Sequence, residues 1–289
     1  MGRWSGFGTR IISFRTASLE NPELGRYPSP GRSLGDEFSM REWIDLYDSD
    51  HPIYVNARHR DVHFRGIATD ILQFMPGPDA TVLDFSCGEA LHADIVAGKA
   101  ARLILAEPAP GVRKRLEARF AANPKIEVRS LAGLVDVPKQ SVDLVVMHSV
   151  AQYMTPAELD AALALIRSLL KPGGLFVLGD VIAPGTPAAT DALALLRFGA
   201  AKGFFLAAMN GLVRTVLSDY WRLRSTIGLA RYDDAAITAK LGRTASWPCG
   251  PLTTWATIRP ARPSCASLAE LWDQGPRSGP PLPSPPILG

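Results

Sequence analysis

An acid and a run of small residues stand close together in Thr81-Val-Leu-Asp-Phe-Ser-Cys-Gly-Glu-Ala-Leu91. Small side chains at Ser86, Cys87, Gly88 and Ala90 let a ligand approach the backbone, and Asp84 offers an acceptor for an ammonium or hydroxyl group. Twenty-three residues after Asp84, Glu107 closes the short apolar run Arg102–Ala106, where an acid can hold both hydroxyls of a ribose. His148, Ser149 and Tyr153 follow a third apolar run, and His148 and Tyr153 are candidate proton acceptors, with Tyr54, His51 and His59 as further ones. Cys87 reads as a small lining residue, because nothing nearby in sequence lowers its thiol pKa.

These residues need a frame that brings distant strand ends together, and the hydropathy pattern supplies one. Strands are expected at 81–85, 102–106, 125–129, 142–147 and 174–180, and helices at 89–98, 110–122 and 155–170. The strands are continuous apolar runs such as Leu144-Val-Val-Met147, as parallel strands covered on both faces should be. Thr155-Pro-Ala-Glu158 is a helix start with a capping residue, an early Pro and a Glu three residues on. Leu170-Lys-Pro-Gly-Gly174 stops that helix and turns the chain into the next strand. Such alternation predicts an α/β fold with a doubly wound, mostly parallel sheet. Ahead of it, Ser39-Met-Arg-Glu42 opens a short helix through Tyr47, and a long amphipathic helix runs from Arg58 to Phe74.

The glycine loop Asp84-Phe-Ser86-Cys-Gly88-Glu-Ala90, the run Ser141-Val-Asp-Leu-Val-Val-Met-His148 and Leu-Lys-Pro-Gly-Gly before a strand lie in family order and spacing. Together they make residues 50–180 resemble the class I S-adenosylmethionine-dependent methyltransferases. The chain departs from the family's acid-x-Gly-x-Gly-x-Gly at two positions, keeping only Gly88. A side chain in the left-handed region costs about 1–2 kcal/mol, so Ser86 either avoids that conformation or the loop is remodelled. The resemblance implies S-adenosylmethionine as cofactor, held by Asp84, Ser86, Cys87, Gly88, Ala90, Glu107, Pro108, Ala132 and His148. Pro108 then packs on the adenine. Leu131-Ala132-Gly133 stands where the family places an acid for the adenine amino group, so contacts there are expected to be backbone and apolar. His148 and Tyr153 are the implied catalytic candidates, and no metal is implied.

Residues 187–230 interrupt the alternation after the fifth strand with mostly helical sequence, expected as a lid over the acceptor, as a helix pair resting on lipid headgroups or as a plain core helix pair; Asp233–Leu241 then reads as one more helix. Residues 1–39 read as a disordered leader, with Met40 opening the domain 40–242. Residues 243–289 hold ten Pro and three of the six Trp. Only Thr253–Ile258 looks strand-like there, so the two strands needed to finish a seven-stranded family sheet are not evident. The tail is expected to be either a Pro-rich disordered segment or sequence foreign to the fold, as from a shifted reading frame.

Charge and cysteine content narrow the function class. The ends carry nine Arg against six acids, which leaves 22 basic and 22 acidic residues between them, and that balance speaks against general nucleic-acid binding. No apolar run reaches membrane-spanning length, and three scattered cysteines fit a reduced, cytoplasmic setting, with peripheral membrane contact through 187–224 as an added expectation. The reading is therefore a methyltransferase acting on a small-molecule or lipid-like acceptor by in-line displacement. A non-catalytic S-adenosylmethionine-binding protein and a nicotinamide-type oxidoreductase are the alternatives. Glu89 beside the loop would repel a pyrophosphate and suits a ligand of positive charge, although it serves equally as a helix-dipole acid.

Overall fold

The computed structural model describes residues 11–15, 38–48, 54–185, 188–216 and 228–243. The chain divides into a unit Met1–Ile258 and a unit Arg259–Gly289, and the second lies wholly outside the described residues. So do His51, Tyr220–Arg224 and the strand-like Thr253–Ile258.

Six strands form one sheet: β1 (Ile11–Arg15), β2 (Thr81–Phe85), β3 (Arg102–Ala106), β4 (Ile126–Arg129), β5 (Val142–His148) and β6 (Leu170–Gly179). Their order is β1-β6-β5-β2-β3-β4. The five from β2 to β6 are parallel, whereas β1 runs antiparallel on β6, with Ile11 opposite Gly179 and Arg15 opposite Leu175. The chain moves outward from β2 through β3 to β4 and then returns to β5 on the other side of β2. That reversal opens a crevice at the carboxyl ends of β2 and β5.

Alternation along each strand sends residues to two cores. Leu83, Ile104, Val145 and Phe176 pack with α5 (Pro156–Leu169) on one face. Val82, Leu103, Val146 and Val177 pack on the other face with α2 (Ala57–Phe74), α3 (Ala93–Ala97) and α4 (Pro110–Phe120). The Thr155 cap works as its sequence suggests: its hydroxyl accepts from Glu158 N–H, and the Glu158 carboxylate accepts from Thr155 N–H. The remaining helices among the described residues are α1 (Phe38–Asp48), α6 (Ala188–Lys202), α7 (Phe205–Val216) and α8 (Asp234–Arg243).

Three expectations are corrected. The helix foreseen at 89–98 is only Ala93–Ala97, because left-handed backbone at Gly88 and Ala90 stops a helix from propagating through them. Glu89 therefore precedes the helix by four residues, and its dipole role falls away. The fifth expected strand starts at Leu170 rather than 174; Leu170 pairs with Val142 and Leu175 with Leu144, so Lys171–Gly174 loop out as a bulge. Finally, five residues of the segment expected as a disordered leader are strand β1, where Ile-Ile-Ser-Phe-Arg meets an open edge of β6.

Candidate functional site

Each of the strands β2, β5 and β6 is followed at once by a non-glycine residue in the left-handed region. Ser86 has φ 58°, Ser149 φ 59° and Asp180 φ 60°, and Ala90 joins them at φ 39°. Each such residue costs about 1–2 kcal/mol. Strain of this kind persists where surrounding structure over-determines it, and it gathers at functional sites. Ser86 thus adopts the glycine geometry that its side chain resists, and so does Ala90. Between them Gly88, at φ 59°, faces Phe64 of α2, whose ring lies 3.8 Å from where a Cβ would stand.

Glu107 ties the loop to the neighbouring strand end. One carboxylate oxygen accepts from Gly88 N–H at 2.8 Å and the other from Ala109 N–H at 2.9 Å. Its side chain thus points towards the loop after β2 and is buried there. Burial raises its pKa, opposed by those two N–H bonds and by Arg113. Asp84 is also buried, and desolvation, followed by the Glu107 charge, lifts its carboxyl to about 7. At Cys87, burial and the two nearby acids push the thiol well up. Ser86 Oγ is buried with no hydrogen-bond partner among the described residues. Above the loop, α2 contributes Arg60, 3.4 Å from Glu89, and Asp61, 2.7 Å from His92 Nε2. Pro108 stands half-buried after Glu107, and Ala132 is exposed in a 3-10 turn (Ala132–Asp136) beyond β4.

A second group gathers at the ends of β5 and β6. Ser149 Oγ donates to Asp180 Oδ2 at 2.6 Å and lies 2.9 Å from His148 Nδ1. A hydroxyl has one proton, so if it goes to Asp180 the ring proton must sit on Nδ1, which leaves Nε2 as the basic nitrogen. Burial lowers the His148 pKa to about 4, and the imidazole is neutral at pH 7. Facing it, His63 of α2 lies 6.2 Å away between ring centroids. Burial and then the neighbouring imidazoles lower His63 to about 3, against the pull of Asp180. Tyr54 packs edge-on to His59 and tilted against His63.

The loops after β2 and β3 bring together Asp84, Ser86, Cys87, Gly88, Ala90 and Glu107. Tyr153 belongs to another cluster: its hydroxyl is 2.7 Å from that of Tyr47, and its ring lies 4.7 Å from Trp43 of α1. His59 is a packing residue, stacked 5.0 Å from Phe204 at the start of α7. Sequence reasoning missed His63 and Asp180. On an amphipathic helix His63 looks like a surface residue, and Asp180 looks like an ordinary strand-ending acid.

Residues 82–174 match the family model described as "Methyltransferase domain". No curated protein matches the sequence. Among solved structures, phosphoethanolamine N-methyltransferase 1 of Haemonchus contortus, solved with phosphoethanolamine and S-adenosylhomocysteine, is 19% identical with a TM-score of 0.39. That match covers 46% of this chain and 29% of the other, so this chain spans less than a third of that protein. A Leishmania major S-adenosylmethionine-dependent methyltransferase is 14% identical over 57% of this chain and 72% of its own, TM-score 0.40. A Haloferax volcanii complex, which pairs the Trm112 methyltransferase activator with a candidate methyltransferase, matches at 20% identity and TM-score 0.44, covering 73% and 77%. At such scores nothing about the acceptor follows from these likenesses. The family match and the sheet's strand order together bear out the resemblance read from the sequence over 82–174.

Proposed function

We propose that the methyltransferase domain matched over residues 82–174 is catalytic, binding S-adenosylmethionine across the loops after β2 and β3 and methylating a small-molecule or lipid-like acceptor. The observation that carries this reading is Glu107, whose carboxylate is directed at the loop Ser86–Ala90 instead of away from the crevice. The residues present fit that ligand. Ser86 Oγ is buried and lacks a partner among the described residues, and the left-handed backbone keeps the loop close and compact. Two buried carboxylates, Asp84 and Glu107, favour a ligand with positive charge and disfavour a pyrophosphate. That electrostatic argument sets aside the nicotinamide alternative.

When bound, S-adenosylmethionine supplies a methyl carbon already activated by its sulfonium. Glu107 accepts from the ribose hydroxyls with the lone pairs that Gly88 and Ala109 leave unused, since a carboxylate has about four acceptor positions. Asp84 accepts from the ammonium, directly or through water. Cys87, Gly88 and Ala90 line the methionine part, and Pro108 and Ala132 flank the adenine. His148 Nε2 takes the proton of a hydroxyl or amine acceptor, with Asp180 and Ser149 holding the ring tautomer. Tyr153, linked to Tyr47, is the second candidate for that proton. Alignment of acceptor and methyl carbon can contribute about 7–11 kcal/mol by itself. The helices α6 and α7 pack against the α2 region through Leu195, Phe198, Phe204 and Ala208 with Val55 and Val62.

Calorimetric titration with S-adenosylmethionine and, separately, with NAD tests the binding half. Saturable heat with the first only is expected, and the reverse sinks the proposal. A labelled-methyl transfer screen over hydroxylated, amine and lipid acceptors tests the enzymatic half. Binding without transfer to any acceptor leaves a non-catalytic binding protein.

A further inference from the structure

The hairpin of α6 and α7 is apolar on two opposite faces, and among the described residues only one of them is covered. Inside, Leu195, Phe198, Phe204 and Ala208 pack together with Val55 and Val62 of the α2 region. Gly211 belongs to this buried side, where a Cβ would run into Val55 Cγ1. On the far side of α7, Leu206, Met209 and Val213 fall at helical spacing and are 74%, 49% and 66% exposed, with Leu193 of α6 at 47%. A helix apolar all round belongs in an apolar environment on both sides, and an exposed contiguous ridge marks an interaction surface.

The charges around the ridge say what covers it. From Ala192 to Val216 the chain carries Arg197, Lys202 and Arg214 and not one acid. A fourth cation, Arg58, is fixed at the hairpin turn, its Nε donating to Lys202 O at 2.6 Å. All four are exposed, and among the described residues none of them is in a salt bridge. Two copies meeting through this face would apply the same patch to itself and set these cations against one another. A negatively charged lipid surface instead complements them, while the ridge inserts between headgroups. No helix of the described residues is long and apolar enough to cross a membrane, so the hairpin lies in the interface plane.

We infer that the outer face of α6–α7 docks on an anionic lipid bilayer, with Leu206, Met209 and Val213 entering the headgroup boundary and Arg58, Arg197, Lys202 and Arg214 around them. This surface is independent of the catalytic reading: it stands or falls without any methyl transfer. The test is co-sedimentation of the full chain with phosphatidylcholine vesicles, with and without phosphatidylglycerol. Binding is expected only with the anionic lipid, weakened by salt. The Leu206→Asp/Val213→Asp double variant is expected to reduce the partition coefficient at least about tenfold, as loss of buried apolar area predicts, with its circular dichroism melt unchanged because both positions are exposed. Lys202→Gln/Arg214→Gln is expected to weaken binding to the anionic vesicles while keeping the same fold. Three outcomes overturn the inference: no binding to either vesicle, equal binding by the Asp double variant, or a concentration-dependent dimer that this variant abolishes while vesicle binding is unchanged.

Discussion

The two ends of the parallel sheet are built on different terms. At the amino end, Lys171 Nζ lies 2.8–2.9 Å from both Asp143 oxygens, and Asp143 also accepts from Thr81 N–H at 2.9 Å, so β2, β5 and β6 are tied where they begin. Lys125 Nζ donates to the carbonyls of Ala97 and Ala100. Among the described residues, only Gln140, in the turn before β5, is left-handed there without being glycine. The carboxyl end has four such residues, two buried acids with raised pKa and an unpartnered buried hydroxyl. Groups at one end satisfy each other; at the other, strain and desolvation remain in place for a ligand to relieve. The contrast supports the site proposed at the carboxyl end.

The largest effect is expected from His148→Ala. Loss of a general base costs about 10²–10⁴-fold in kcat; a drop of that size with S-adenosylmethionine affinity kept within a few-fold assigns the proton transfer to His148, and an unchanged kcat removes it from that role. Next comes Asp84→Asn. Asp84 has a folded-state pKa near 7, above its ordinary 3.8, so between those values the folded chain keeps a proton that the unfolded chain has lost. Its contribution is full below about pH 4, declines as pH rises, and is gone above about 7. Asp84→Asn should therefore be more stable than the parent by up to a few kcal/mol above pH 7 and equal to it near pH 4, while binding S-adenosylmethionine more weakly. Denaturant titrations at both pH values decide this. His59 and His148 carry the opposite sign: lowered to about 4, they cost stability as pH falls from the ordinary histidine value towards 4.

Smaller changes sharpen the same contrast. Glu107→Ala should raise the S-adenosylmethionine Kd about tenfold or more, since a hydrogen bond to a charged group is worth about 1.5–3 kcal/mol; calorimetry reads it. Ser86→Gly relieves left-handed strain and should stabilise the ligand-free chain by about 1 kcal/mol. A thermal melt that instead falls would show that Ser86 Oγ has a structural partner. At the other end, Lys171→Met breaks a half-exposed ion pair and should cost about 1 kcal/mol or less, with kcat and KM unmoved.

The hydropathy pattern revealed the sheet because parallel strands buried on both faces are continuous apolar runs, as in Leu144–Met147. The positions of Asp84 and Glu107 followed from it, since a strand end fixes what comes next. Helix starts without a capping residue were less legible: Glu89–Leu91 has helical composition, yet backbone geometry invisible in the residue types holds it out of the helix. β1 was hidden because a five-residue strand amid Gly and Arg carries little period, and its partner is far along the chain. His63 and Asp180 were hidden for a similar reason, since their meaning depends on which elements α2 and β6 are laid beside.

That distance has a consequence for synthesis. Arg15 is opposite Leu175, so about 160 further residues must be polymerised before β1 meets its hydrogen-bonding edge. At roughly 5–20 residues per second, the nascent strand waits some ten to thirty seconds with its backbone groups unmatched, in the interval when chaperones compete most directly for such a segment.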